Sequence, residues 1–186
     1  MADWDDEELI ASSQTGDKGA FGELVRRYRG RVQATACRFC GDPQLAEDIA
    51  QETFIKIWRN LFRFRTGSFK SWVYRITVNT AIDHARRTRP TVAIEDIPLA
   101  APGDNPEAAA LHTERAQVIR QAVLSLPPHS RAALILREYE DLSYKEIAAV
   151  LNIPLGTVMS RLNYARNRLR ADLAPLLEEA HAPASH

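Results

Sequence analysis

Between Leu155 and Arg170 the chain carries four arginines, Arg161, Arg166, Arg168 and Arg170, and no acid. On a helix these cations suit phosphate oxygens, because a guanidinium donates hydrogen bonds in a fork that an anionic oxygen pair accepts. A second basic run extends from Lys56 to Arg89, with nine bases against one acid, Asp83. The whole chain is nevertheless neutral, with 24 Lys and Arg against 24 Asp and Glu in 186 residues. Residues 90–110 supply part of the balance, with four acids and no base. Other chemistry is not legible: there is no nucleophile–base set, no glycine loop to cradle phosphate and no four-ligand metal cluster, so neither an enzyme nor a cofactor is expected. Cys37 and Cys40 form a lone Cys-x-x-Cys without a matching histidine pair. Reduced cysteines near a helix end are the expected reading, with metal or redox use as the alternative.

The elements that must position these residues are helical. Phe21, Leu24, Val25, Tyr28, Val32 and Ala36 recur at three- and four-residue steps, as do Ala46, Ile49, Ala50, Thr53 and Ile57, and then Phe69, Trp72, Val73, Ile76 and Thr80. With a short leading helix over Glu7 to Ser13, this predicts a helical unit spanning residues 1–89. Residues 90–110 read as an acidic, flexible, proline-containing linker, since proline blocks helix continuation and the composition has little to bury. A second unit follows over 111–178, with helices from about Ala108 to Ser125 and from Arg131 to Tyr139, and residues 179–186 read as a frayed tail. The fold class expected is all-α, with two small domains. No apolar run approaches the roughly 18 residues of a membrane span. The acidic start "MADWDDEEL" is unlike a secretory leader, so a cytoplasmic location is expected.

The segment "LSYKEIAAVLNIPLGTVMSRLNYARNRLR" combines these signals. Ser143-x-x-Glu146 has the form of a capping box, and Asn152 and Pro154 break and restart the helix. Ile147, Ala148 and Leu151 face inward on the first short helix, and Val158, Leu162, Ala165 and Leu169 on the second. That turns Gly156, Thr157, Ser160, Asn163, Tyr164 and Asn167 outward between arginines. Two short helices with a tight break and a small, polar, cation-flanked outer face fit a helix-turn-helix. An arginine-rich helix that is merely solvated is the alternative.

This segment resembles the DNA-binding end of the sigma-70 family, specifically the extracytoplasmic-function sigma factors. "GDKGAFGELVRRY", "AEDIAQETFIKIW" and "FKSWVYRITVNTAIDHARR" resemble the first long helix, the polymerase-binding helix and the promoter-melting helix of its sigma-2 domain. "LPPHSRAALILREYEDLSYKEIA" resembles the opening of its sigma-4 domain. The resemblance implies a factor that binds core RNA polymerase, through the beta-prime clamp helices and the beta flap, and recognises promoter DNA. Asp48, Gln51, Glu52, Ile55 and Trp58 would dock on polymerase, and an apolar centre among polar neighbours agrees with that use. Phe62, Arg63, Phe64 and Arg65 would take a base flipped from the minus-10 element, although by themselves the two phenylalanines also read as core plugs. Asn79 would read bases on the same strand, with Lys70, Arg75, Arg86 and Arg87 on phosphates. At the minus-35 element the implied contacts are Arg137, Thr157, Met159, Ser160, Arg161, Asn163, Tyr164 and Arg166. Met159 stands where the family often has lysine or arginine, so the minus-35 preference is expected to differ. The acidic linker would occupy the polymerase's basic channel, or serve only as a tether.

An anti-sigma partner is implied by the resemblance alone, and the free protein is expected to be a monomer that binds DNA weakly across its loose linker. A stand-alone helix-turn-helix regulator would need neither the Asp48–Trp58 face nor the aromatic-basic loop. A decoy that titrates an anti-sigma factor would have lost its basic faces, and both persist here.

Overall fold

The computed structural model describes residues 4–87 and 106–176, and these fold into helices whose ends are set by local capping chemistry. Helix α1 (Asp6–Gln14) opens on a capping box, with Asp5 accepting from the Glu8 amide and Glu8 from the Asp5 amide, both at 2.9 Å. Asp17 caps α2 (Lys18–Cys40), accepting from the amides of Gly19 and Ala20. Gly41 ends α2 at φ 75°, its N–H donating to the Cys37 carbonyl at 2.8 Å. The positive φ calls for glycine, and a Cβ there would lie 2.5 Å from Leu124 Cδ1, so that any other residue would also make the leucine side chain shift. Asp42 then caps α3 (Pro43–Asn60), with Pro43 in its first turn. A 3-10 turn over Leu61–Arg63 leads to α4 (Phe69–Arg87).

The second half holds α5 (Pro106–Ser125), α6 (Pro128–Glu138), α7 (Tyr144–Leu151) and α8 (Leu155–Asp172). Proline opens both α5 and α6, extending them a few residues N-terminal of the expected starts at Ala108 and Arg131. The capping box at Ser143 and Glu146 forms as expected, at 3.3 and 2.7 Å. Asn152 takes the left-handed cap at φ 52°, and α8 begins after Pro154. Of the linker expected over residues 90–110, residues 106–110 instead form the start of α5, opened by Pro106; residues 90–105 and the tail at 179–186 lie outside the described residues.

One core cluster, under α1 to α4, is built from residues such as Leu9, Leu24, Val32, Ile57 and Val73. A smaller one joins Val123 and Leu126 of the α5 end to Leu134 and Ala165. The third is shared: Ala36, Phe39, Tyr74, Val78 and Ala81 of α2 and α4 pack with Ala132, Ile135, Leu136, Ile147 and Val150 of α6 and α7. The sequence reading expects two units spaced by a tether, whereas the structure joins them over a common core. The cause is a second apolar face on α2 and α4, which the α1–α4 cluster leaves uncovered. Val150, rather than the half-buried Leu151, completes the inward face of α7 with Ile147. Among the described residues no helix is long and apolar enough to cross a membrane.

Candidate nucleic-acid and polymerase interfaces

Helix α3 buries Ala46, Ile49, Ala50, Thr53 and Ile57, which turns Asp48, Gln51 and Ile55 outward. Ile55 is 50% exposed, unusual for isoleucine at the centre of a polar face. Half-buried Trp58 packs on Phe21 at a ring separation of 4.8 Å, and Lys18, Phe21, Phe54, Ile55, Trp58 and Arg59 line a groove there. The sequence reading treats Phe21 as core and omits Phe54. Their aromaticity was visible, but only packing shows that they border this face. Glu52 does more than face outward. Lys56 Nζ at 2.8 Å and His84 Nε2 at 2.7 Å hold its carboxylate, and these hydrogen bonds, the Lys56 bond first, lower its pKa. Lys56 also donates to Thr80 at 3.0 Å, so this face of α3 is tied through Glu52 and Lys56 to α4.

The loop from Leu61 to Ser68 divides its two phenylalanines. Phe64 packs on Phe69 and Trp72 at ring separations of 5.4 and 5.3 Å, and Tyr28 meets Phe69 edge-on at 5.3 Å. Phe62 is 58% exposed, with the Arg63 guanidinium 5.3 Å from its ring. Arg65, Asn79 and Arg87 are exposed, and Lys70 is half-buried with its ammonium 5.8 Å from the Tyr74 ring. Arg75 and Arg86 point at the second half of the chain. Arg75 Nη2 donates to the Ala149 carbonyl, and Arg86 Nη2 lies 3.2 Å from His129 Nε2. Burial lowers the His129 pKa, with Arg161 and Arg86 adding to the effect.

On α8 the inward residues Val158, Leu162 and Ala165 are buried, which leaves Met159, Ser160, Asn163, Tyr164 and Arg166 exposed. Met159 is 54% exposed and Tyr164 49%. Thr157 and Arg161 are half-buried at the edges of this face. A shallow groove runs along Ser160, Asn163, Tyr164, Asn167 and Arg168. Asn167 and Arg168, which are not among the implied minus-35 contacts, line this face as well; the helical period and the arginine content were the signals that could have included them. Arg166 pairs with Glu138 at 2.8 Å and donates to the Tyr144 hydroxyl at 3.2 Å, anchoring α8 to α6 and α7. Arg137 is likewise engaged at home, donating to the Leu142 carbonyl at 3.0 Å beside the Tyr144 ring.

The Cys37 and Cys40 thiols are half-buried at the α2 end. Burial raises both pKa values, Cys40 to about 11, so both stay protonated at neutral pH.

Comparison with known proteins shows the family of the chain. Sigma-70 region 2 matches residues 24–91, and Sigma-70, region 4 matches residues 116–169. The RNA polymerase sigma-H factor of Pseudomonas aeruginosa is 43% identical over 188 residues, which cover 94% of this chain and 97% of that protein. The ECF RNA polymerase sigma-E factor of Escherichia coli is 39% identical over 184 residues, covering 92% and 96%. Among solved structures, CnrH in complex with the cytosolic domain of CnrY matches with a TM-score of 0.67 at 29% identity, over 95% of this chain and 99% of that one. The sigma factor RpoE of Bartonella quintana, solved with the anti-sigma factor NepR, matches with a TM-score of 0.65 at 25% identity, over 83% and 96%. The all-helical fold, the exposed apolar-centred face on α3 and the helix-turn-helix of α7 and α8 therefore belong to an extracytoplasmic-function sigma factor of the sigma-70 family, a non-enzymatic protein that directs RNA polymerase to promoters.

Proposed function

We propose that residues 1–89 dock on the polymerase clamp helices and open the minus-10 element, and that residues 111–178 sit by the beta flap and read the minus-35 element, in the cytoplasm. The observation that carries the docking assignment is Ile55, half exposed among Asp48, Gln51 and Glu52. An apolar side chain ringed by polar ones is the pattern of a protein interface, and a solvated helix face gives no reason for it. At the minus-10 element, Phe62 offers an exposed ring for a flipped base, with Arg63 and Arg65 beside it for the backbone. Asn79 supplies donor and acceptor to base edges, and Lys70, Arg75, Arg86 and Arg87 neutralise phosphates. At the minus-35 element, Ser160, Asn163 and Tyr164 face the groove, with Thr157, Met159 and Arg161 at its borders. Arg166 serves there by fixing α8 on α6 and α7 and Arg137 by fixing the connection between α6 and α7, each keeping donors for the DNA backbone. CnrH was solved with the cytosolic domain of CnrY and RpoE with the anti-sigma factor NepR, and the latter supports control by an anti-sigma factor here.

Run-off transcription with core polymerase on a promoter library tests the assignment. The parent gives defined start sites, and the Asp48→Arg/Glu52→Arg variant loses them together with binding to core. Equal binding by parent and variant would place docking elsewhere.

A further inference from the structure

We propose that Gln14, the last residue of α1, is a positioning residue for promoter opening. Its side-chain amide holds the turn from Leu61 to Phe64 in the shape that presents Phe62 to a flipped base. The inference rests on the reading of Phe62 as the ring that takes that base. Gln14 Nε2 donates to the Leu61 carbonyl at 2.9 Å and to the Phe64 carbonyl at 2.7 Å. An amide nitrogen carries two hydrogens, and here each meets one carbonyl. The opposite orientation of the amide would set its oxygen against two further acceptors, so the side chain has one working orientation.

Both sides of this fork are firmly seated. On the α1 side Leu9, Ile10 and Ser13 are buried, and Ser12 Oγ donates to Asp17, the cap of α2, at 2.9 Å. On the loop side Leu61 is buried and Phe64 packs on Phe69 and Trp72. Within the turn the Phe64 N–H donates to the Leu61 carbonyl at 3.0 Å, and a 3-10 turn this short is weak by itself. The Leu61 carbonyl belongs to the peptide plane that leads into Phe62, and the Phe64 carbonyl to the one that leads into Arg65. Holding these two planes therefore sets the backbone direction at two of the residues placed on the minus-10 strand.

A side chain as exposed as Phe62 takes its direction from the backbone that carries it rather than from packing. On an unbraced turn the ring would have to be ordered as the base arrives, and that cost would offset part of the stacking. A platform already held in place avoids it. Gln14 is itself exposed, so its removal should change the unfolding midpoint little, and its effect should be local to the turn.

Two substitutions test this in the full chain. Gln14→Met keeps the length and removes both donors, and Gln14→Asn keeps the amide and loses its reach. In the free chain, amides from Phe62 to Arg65 should exchange hydrogen about three- to tenfold faster in both variants, with α3 and α4 unchanged. With core polymerase, permanganate footprinting should show promoter opening weakened by about three- to tenfold, at unchanged binding to core. In a Phe62→Ala background the same substitutions should lose most of that effect, because the ring they position is gone. Loop exchange equal to the parent's, or an equal loss of opening in both backgrounds, would overturn the inference. So would normal opening by the Gln14 variants where Phe62→Ala alone loses it. A lower midpoint together with lost core binding in both variants would overturn it too, since Gln14 would then serve the fold. Normal opening by Phe62→Ala would sink the reading of the ring and with it the role in opening. Loop exchange, measured without polymerase or DNA, tells that failure from the absence of the brace.

Discussion

The division between Phe62 and Phe64 allows stability and function to be separated by two neighbouring truncations. Phe64 is half-buried and meets two rings, Phe69 and Trp72, at 5.4 and 5.3 Å. Truncating a fully buried phenylalanine costs about 3–5 kcal/mol, so half-burial gives about 2 kcal/mol for Phe64→Ala. In a chain of this length that lowers the unfolding midpoint by roughly 4–8 °C. Phe62 is 58% exposed and touches little besides the Arg63 guanidinium, so Phe62→Ala should stay within about 0.5 kcal/mol of the parent. Its effect should appear on DNA. Stacking of a base on an aromatic ring is worth about 1–3 kcal/mol, so promoter opening by polymerase carrying Phe62→Ala should weaken roughly 5- to 150-fold. Thermal unfolding by circular dichroism and permanganate footprinting of the melted strand measure the two quantities. The reasoning is refuted if Phe62→Ala opens promoters as the parent does, or if its midpoint falls as far as that of Phe64→Ala.

Two further outcomes follow from named side chains. With a pKa near 11 against an ordinary 9.0, Cys40 has about a hundredfold less thiolate at pH 8, so iodoacetamide should label it about a hundredfold more slowly in the folded chain than in denaturant. Because the folded thiol holds its proton more tightly, the stability it contributes is present below pH 9 and lost between about 9 and 11, and Cys40→Ser should flatten that loss. A folded-state labelling rate equal to the unfolded one would show the thiol to be accessible and reopen redox use of the pair. Met159→Lys adds a cation to the exposed α8 face, so binding of holoenzyme to minus-35 duplexes should tighten across sequences, with a salt slope steeper by about one. An unchanged slope would place Met159 off the backbone.

Much of the candidate site was legible because its signals are local. The Ser143–Glu146 capping box, the Asn152 cap and Pro154 restart define the helix-turn-helix within a dozen residues. The period of Val158, Leu162 and Ala165 then dictates which α8 residues face out. Segregated charge marked both basic surfaces, and the α3 period placed Ile55 among polar neighbours.

What the sequence determined by itself, then, was helix positions, caps, faces and the family they spell, since these depend on neighbours within a few residues. Tertiary structure alone decided which faces meet. Periodicity marks Ala36 as turned from solvent without naming a partner, Tyr74 falls outside the stripe from Phe69 to Thr80, and Glu140 reads as one more surface acid. Only folding brings it to Thr35 and Tyr74, which lie 105 and 66 residues away in the chain. The same holds for Phe62 and Phe64, identical in type and two positions apart. The path of one loop puts the first in solvent and the second against Phe69 and Trp72, a choice made by packing over distances that local sequence does not encode.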